Sequence, residues 1–184
     1  PAGRIADEPD AVTRRILDIN VLGVITGSKL AVRRMLPRGR GHVVNIASLA
    51  GEIYTPGLAT YCASKYAVVG FTAAARVEHR GTGIEFSAVL PSFVNTELTA
   101  GTKGLPGLKN AEPEDIARAV VALIERPKPK VRVTKLVGAL AASQKFFPRQ
   151  VSEALTRALH TDRVFLEDVD TAARRAYEER ARHS

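Results

Sequence analysis

The chain has 184 residues, 45% hydrophobic and 25% charged, a composition that suits one globular domain with a real core and excludes a disordered protein. Its net charge of +8 is uneven: 15 basic against 12 acidic residues up to position 127 give +3, and 12 against 7 beyond it give +5. A single cysteine, Cys62, rules out an internal disulfide and a cysteine-cluster metal site, and no apolar stretch reaches the ~20 residues of a membrane-spanning helix.

In chain order, residues 7–35 read as one helix. Pro9 fits a first turn, and Asp7, Glu8 and Asp10 suit the positive helix end. Ile16, Ile19 and Gly23 fall on one face, with Arg14, Arg15, Arg33 and Arg34 as solvated charge or partner contacts. Asn20 is an amide inside this apolar stretch. Pro37 and Gly39 end the helix, and residues 42–48, His-Val-Val-Asn-Ile-Ala-Ser, form a short apolar run consistent with a buried parallel strand. Residues 60–79 are helical by periodicity, with Gly81 and Gly83 as stops. Residues 84–91 give a second buried strand. Residues 97–111 hold three glycines and a proline and read as a mobile loop, residues 113–125 as a helix burying Ile116, Ala119, Val120 and Leu123, and residues 128–135 as a last strand.

Chemistry concentrates in the stretch from Ser48 to Lys65. On a helix, Tyr61 and Lys65 are i and i+4 and share a face. A phenol titrates near pH ~10 and relays protons poorly at neutral pH unless its phenolate is stabilised, which an ammonium one turn away does. With four tyrosines and eight lysines in the chain, a chance Tyr-x-x-x-Lys is expected ~0.17 times, so the setting decides its meaning. The strand, helix, strand order is a crossover unit whose ligand sites lie beyond the strands' carboxyl ends. Ser48 and Pro91 both fall at that end.

Four segments, Asp18-Ile-Asn-Val-Leu-Gly23, Asn45-Ile-Ala-Ser-Leu-Ala-Gly51, Tyr61-Cys-Ala-Ser-Lys65 and Pro91-Ser-Phe-Val-Asn-Thr96, resemble the catalytic half of a short-chain dehydrogenase/reductase over residues 1–127. Ser48 precedes Tyr61 by thirteen positions, the interval that family keeps. The resemblance implies an α/β fold with a Rossmann-like, doubly wound parallel sheet, and hydride transfer between NAD or NADP and a carbonyl or alcohol. It implies that Tyr61 is the general acid or base and that Lys65 tunes it and binds the nicotinamide ribose. It also implies that Ser48 holds the substrate oxygen, and that Asn20 bends its helix and carries a proton-relay water. It implies further that Pro91 shapes the turn and that Val94 and Thr96 contact the nicotinamide carboxamide and nearby phosphate. The helices holding Asn20 and Tyr61 are the family's usual dimer surface, which implies a homodimer or homotetramer. One departure stands out: the family has Pro-Gly where this chain has Pro91-Ser92, and glycine there permits close backbone approach to the cofactor.

No segment has the strand, Gly-rich turn and helix of a dinucleotide pyrophosphate site, and residue 1 is Pro rather than Met. The expectation is therefore a catalytic half, residues 1–135, whose adenosine-binding part precedes Pro1, leaving the first strand at an exposed edge. In the family the loop after residue 97 is the substrate lid. Leu98, Leu105 and Leu108 point to a lipophilic substrate, and a simple anchoring role accounts for them equally well. Residues 136–184 read as a helical extension, basic and amphipathic. It suits an anionic membrane surface, a neighbouring subunit or a cover for the sheet, and packing is preferred. Nucleic acid is a poor partner, because the cations are not interleaved with stacking aromatics. The four histidines show no metal-ligand spacing, Cys62 reads as a packing residue, and a cytoplasmic protein is expected. The rival reading is a non-catalytic relative that survives as a partner-binding or scaffold piece.

Overall fold

A computed structural model describes residues 2–96 and 110–134. The loop expected after residue 97, with Leu98, Leu105 and Leu108, and the helices expected beyond 135 lie outside the described residues. The elements run α1 (Asp10–Leu17), a wide turn (Asp18–Leu22), α2 (Gly23–Met35), β1 (Gly41–Ile46), α3 (Ala59–Glu78), β2 (Ile84–Leu90), α4 (Pro113–Glu125) and β3 (Lys130–Arg132). All pairings are parallel, in the order β1-β2-β3.

β2 is central and buried along nearly its whole length, which is why Ile84–Leu90 is an unbroken apolar run rather than an alternating one. Its side chains divide between two layers. Ile84, Phe86, Ala88 and Leu90 pack with Val32, Val43, Val68 and Ala75 under α2 and α3. Val89 joins Ala111, Leu123 and Val133 under α4, with Ile116, Ala119 and Val120 packed against them. Phe86 is 1% exposed, and truncating a phenylalanine so buried costs about 3–5 kcal/mol. The polar Asn45 is accommodated within the α2–α3 layer because its amide donates to Thr72 Oγ1 at 2.9 Å and accepts from Ser28 Oγ at 3.4 Å.

Three boundaries differ from expectation. The single helix expected over 7–35 is two α-helices joined by a widened turn, in which the Gly23 N–H reaches back to the Asp18 carbonyl five residues earlier. Ile19 is 60% exposed, so it does not bury beside Ile16. β1 ends as a strand at Ile46, yet the chain stays paired to β2 through Ala47 N to Val89 O and Leu49 N to Pro91 O. β3 is three residues long, because only Lys130–Arg132 pair with β2. The helix bearing Tyr61 ends as read. Gly83 takes a φ of +79°, and a Cβ there would lie 1.9 Å from the Gly39 carbonyl oxygen, so only glycine fits where the two loops touch. Among the described residues no helix is long and apolar enough to cross a membrane, and none group as a metal site.

Candidate active site

Four elements meet at the carboxyl end of the sheet. The first is the extension of β1. Ser48 is extended, and its Oγ accepts the Ala50 N–H at 3.2 Å, which caps the short turn Leu49–Gly51 and leaves the hydroxyl hydrogen to donate elsewhere. On either side of Ser48, Ala47 and Leu49 donate to the end of β2, so the serine stands level with Pro91.

α3 supplies the second element. A Cβ on Gly51 would lie 2.6 Å from the Lys65 carbonyl oxygen and 2.9 Å from Val69 Cγ2, so the turn after Ser48 lies directly on the helix backbone at Lys65. The Lys65 ammonium points back along β1, with Nζ 3.4 Å from the Ile46 carbonyl oxygen and 5.6 Å from the centre of the Tyr61 ring, within reach of a cation–π contact. Burial holds the Lys65 pKa below its ordinary value. Cys62 is 6% exposed, and burial pushes its thiol pKa up, as fits a packing residue.

The third element is the wide turn carrying Asn20. Its amide donates to Ser64 Oγ at 3.1 Å, and Ser64 Oγ donates to the Tyr61 carbonyl at 2.7 Å. Asn20 is thus bonded neither to its own backbone nor directly to Lys65 in the described contacts; it is tied to the first turn of α3 through a fully buried serine. The widened turn between α1 and α2 falls at this residue.

Beyond β2 comes the fourth. Pro91 is buried and receives Leu49 N–H. Val94 forms a parallel bridge with Ala111, and its side chain packs into the α4 layer, so what it presents toward the sheet's end is backbone. Thr96 is exposed. Ser92, in place of the family's glycine, shares a hydrogen bond with Thr134 Oγ1 at 2.5 Å. Thr134 has a φ of +66°, strained for a β-branched residue.

The Ser48 turn thus lies on α3 at Lys65, Lys65 lies beside Tyr61, Pro91 pairs next to Ser48, and Asn20 is tied to α3 through Ser64. The profile of the family described as short chain dehydrogenase matches residues 1–104. The chain belongs to that family. 17-beta-hydroxysteroid dehydrogenase 13 of Rattus norvegicus is 34% identical over 162 residues, 85% of this chain and 53% of that protein. Carbonyl reductase family member 4 of Xenopus tropicalis is 34% identical over 120 residues, 62% and 51% of the two chains. The chain spans about half the length of these curated relatives. Among solved structures, acetoin dehydrogenase from Enterobacter cloacae superposes with a TM-score of 0.64 at 24% identity, covering 74% of this chain and 60% of that one. A structure of 4-hydroxyisoleucine dehydrogenase complexed with NADH gives 0.64 at 24%, covering 72% and 63%. Both likenesses bear on the fold.

Two residues beside this candidate site escaped the motifs. Ser64 sits inside Tyr61-Cys-Ala-Ser-Lys65 and is the link to Asn20; a polar side chain on the buried face of an apolar helix was the available signal. Glu52 follows the Ser48 turn with its side chain 1% exposed and paired with Lys130 and Arg132. A carboxylate directly after an apolar turn marked it, but its partners lie 78 and 80 residues away.

Proposed function

We propose that, in the intact enzyme, residues 1–135 form the catalytic half of an NAD- or NADP-dependent oxidoreductase that interconverts a carbonyl and an alcohol. The gathering of Ser48, Tyr61 and Lys65 beyond the carboxyl ends of a parallel sheet carries this reading, because that is where such sheets bind ligands. The donor chemistry fits the cofactor: an ammonium has three N–H donors, and among the described residues Lys65 donates only to Ile46 O, leaving hydrogens for ribose hydroxyls. When bound, the nicotinamide supplies or accepts the hydride. Ser48 donates its hydroxyl hydrogen to the substrate oxygen and orients it. Tyr61 passes the proton to or from that oxygen, and the Lys65 charge favours its phenolate. Asn20, fixed through Ser64, holds the water that returns protons to Lys65. Pro91 walls the nicotinamide side, with the Val94 backbone and Thr96 set toward the carboxamide and phosphate.

The relatives named hydroxysteroid dehydrogenase and carbonyl reductase favour a lipophilic carbonyl or alcohol as substrate. Exposed Leu22, Leu30, Tyr66 and Val77, at 57, 52, 44 and 59%, give the helices around the site an apolar outer surface suited to a second copy, so a homodimer or homotetramer is proposed. Residues 136–184 are proposed to pack on the protein, and the compartment to be cytoplasmic.

The test is Tyr61→Phe in the intact enzyme, with turnover and cofactor affinity measured together. Turnover should fall ~10²- to 10⁴-fold while affinity stays near the parent's, since only a hydroxyl is lost; activity retained within a few-fold sinks the assignment.

A further inference from the structure

The Ser48 turn is tied down from a direction that the catalytic motif does not supply. β3 alternates: Val131 and Val133 enter the α4 layer, which sends Lys130, Arg132 and Thr134 to the opposite face. There Glu52 receives Lys130 Nζ at 2.5 Å, Arg132 Nε at 2.6 Å and Arg132 Nη2 at 3.1 Å. The carboxylate side chain is 1% exposed, against 39% and 26% for its partners. Burial works to raise its pKa, but the hydrogen bonds from Arg132 and Lys130 hold it down at about 2, so it is charged at any working pH.

A buried ion pair adds little stability over an apolar contact of the same shape, whereas an arginine fork fixes direction as well as distance. Glu52 ends the turn that begins at Ser48: Gly51 N bonds Ser48 O at 2.9 Å, Glu52 N bonds Leu49 O at 2.8 Å, and Ala50 N bonds Ser48 Oγ. A shift of Glu52 is therefore a shift of the serine hydroxyl. We propose that Glu52, anchored across β2 by Lys130 and Arg132, is a positioning residue that sets the Ser48 hydroxyl against Tyr61 and Lys65, an inference that rests on the catalytic reading above. Ser92 and Thr134 give the turn after β2 a parallel tie to the same face of β3.

The experiment is a double-mutant cycle in the intact enzyme with its cofactor: Glu52→Gln and Ser48→Ala, singly and together. A misplacement of about 1 Å costs up to ~10²-fold in rate, so Glu52→Gln should lower kcat by roughly 10-fold or more with the cofactor KM little changed. In the Ser48→Ala background the same change should cost less than about twofold, since no hydroxyl remains to be misplaced. Equal losses in both backgrounds, or full activity of Glu52→Gln, overturn the proposal. Should Glu52→Gln not fold, Arg132→Lys keeps the charge but loses the fork, and the same cycle is run with it, a smaller loss being suppressed by Ser48→Ala. Hydrogen exchange at the Ala50 amide gives a readout independent of turnover. Faster exchange there in Arg132→Lys, with α4 amides unchanged, supports the tie even if the enzyme proves to catalyse another reaction, and unchanged exchange at Ala50 overturns it.

Discussion

The turns that leave β1 and β2 stand side by side at the same end of the sheet, and they are built differently. The turn from Ser48 to Glu52 is buried, with Leu49 4%, Ala50 8% and Glu52 5% exposed. It is held by α3 at Gly51, by β2 through Pro91 and by β3 through Glu52. The turn from Ser92 to Thr96 is held by its backbone bridge to Ala111, by Ser92 with Thr134, and by exposed amides: Asn95 donates to Glu112 and accepts from Asn110. Water substitutes readily for the last of these. The turn that carries Ser48 is thus fixed by packing, and the one after β2 is fixed partly by bonds that open cheaply.

The largest effect is expected at the group the rigid turn rests against. Lys65→Met in the intact enzyme should lower the rate ~10²-fold or more and weaken cofactor binding, because in the proposed function one side chain serves both the phenol and the ribose. Removing a positive charge near Tyr61 disfavours the phenolate, so the tyrosine limb of the rate–pH profile should move to higher pH. A limb that stays in place would show that Lys65 does not tune the phenol.

Next comes the packing itself. Gly51→Ala puts a methyl 2.6 Å from the Lys65 carbonyl oxygen and 2.9 Å from its carbonyl carbon, and neither backbone atom can move without shifting α3. Overpacking of this kind costs about 1–3 kcal/mol, and the upper end is expected here, read by urea unfolding. A variant as stable as the parent would mean that turn and helix part easily.

Third is the acid response of Glu52. Its carboxyl is held at about 2 against an ordinary 4.5, so its ionisation stabilises the fold fully above the ordinary value. That contribution is lost as pH falls through the window down to about 2. Glu52→Gln should cost about 2 kcal/mol at neutral pH, less than the ~3–5 of a fully buried pair because Lys130 and Arg132 keep some water. The gap between parent and variant should narrow as pH drops from 4.5 toward 2; a constant gap contradicts the ion-pair account.

The sequence made these two turns legible to different depths. Tyr61, Lys65 and the surrounding helix follow from a 3.6-residue period, the strands from short apolar runs, and α4 from Pro113 with its acidic first turn; all are local signals. Periodicity alone reads Asp18–Leu22 as plain helix, and only the resemblance points to Asn20, because the partner that Asn20 meets is tertiary, a serine 44 residues on. Glu52 with Lys130 and Arg132, and Ser92 with Thr134, pair across 78, 80 and 42 residues, and no period encodes a partner that distant. The alternation Val131-Arg-Val133 points to a strand within residues 128–135, without saying what Arg132 meets.

The smallest effect is expected in the second turn, and it tests the contrast from the other side. Asn95 donates to Glu112 Oε1 at 2.6 Å and accepts from Asn110 Nδ2 at 2.8 Å, both in exposed positions. Asn95→Ala removes both bonds, but water can take each vacated donor and acceptor, so no buried group is stranded. Glu112 meanwhile keeps its reciprocal bonds with the start of α4, where the Asp115 carboxylate accepts its backbone N–H at 2.9 Å, so the helix cap survives. The expected loss is no more than about 0.5 kcal/mol, a fall in Tm of roughly 2 °C or less for a chain of this size. A loss comparable to that of Gly51→Ala would mean that the second turn is as tightly built as the first, and the division between a packed turn after β1 and a loosely tied one after β2 would have to be abandoned.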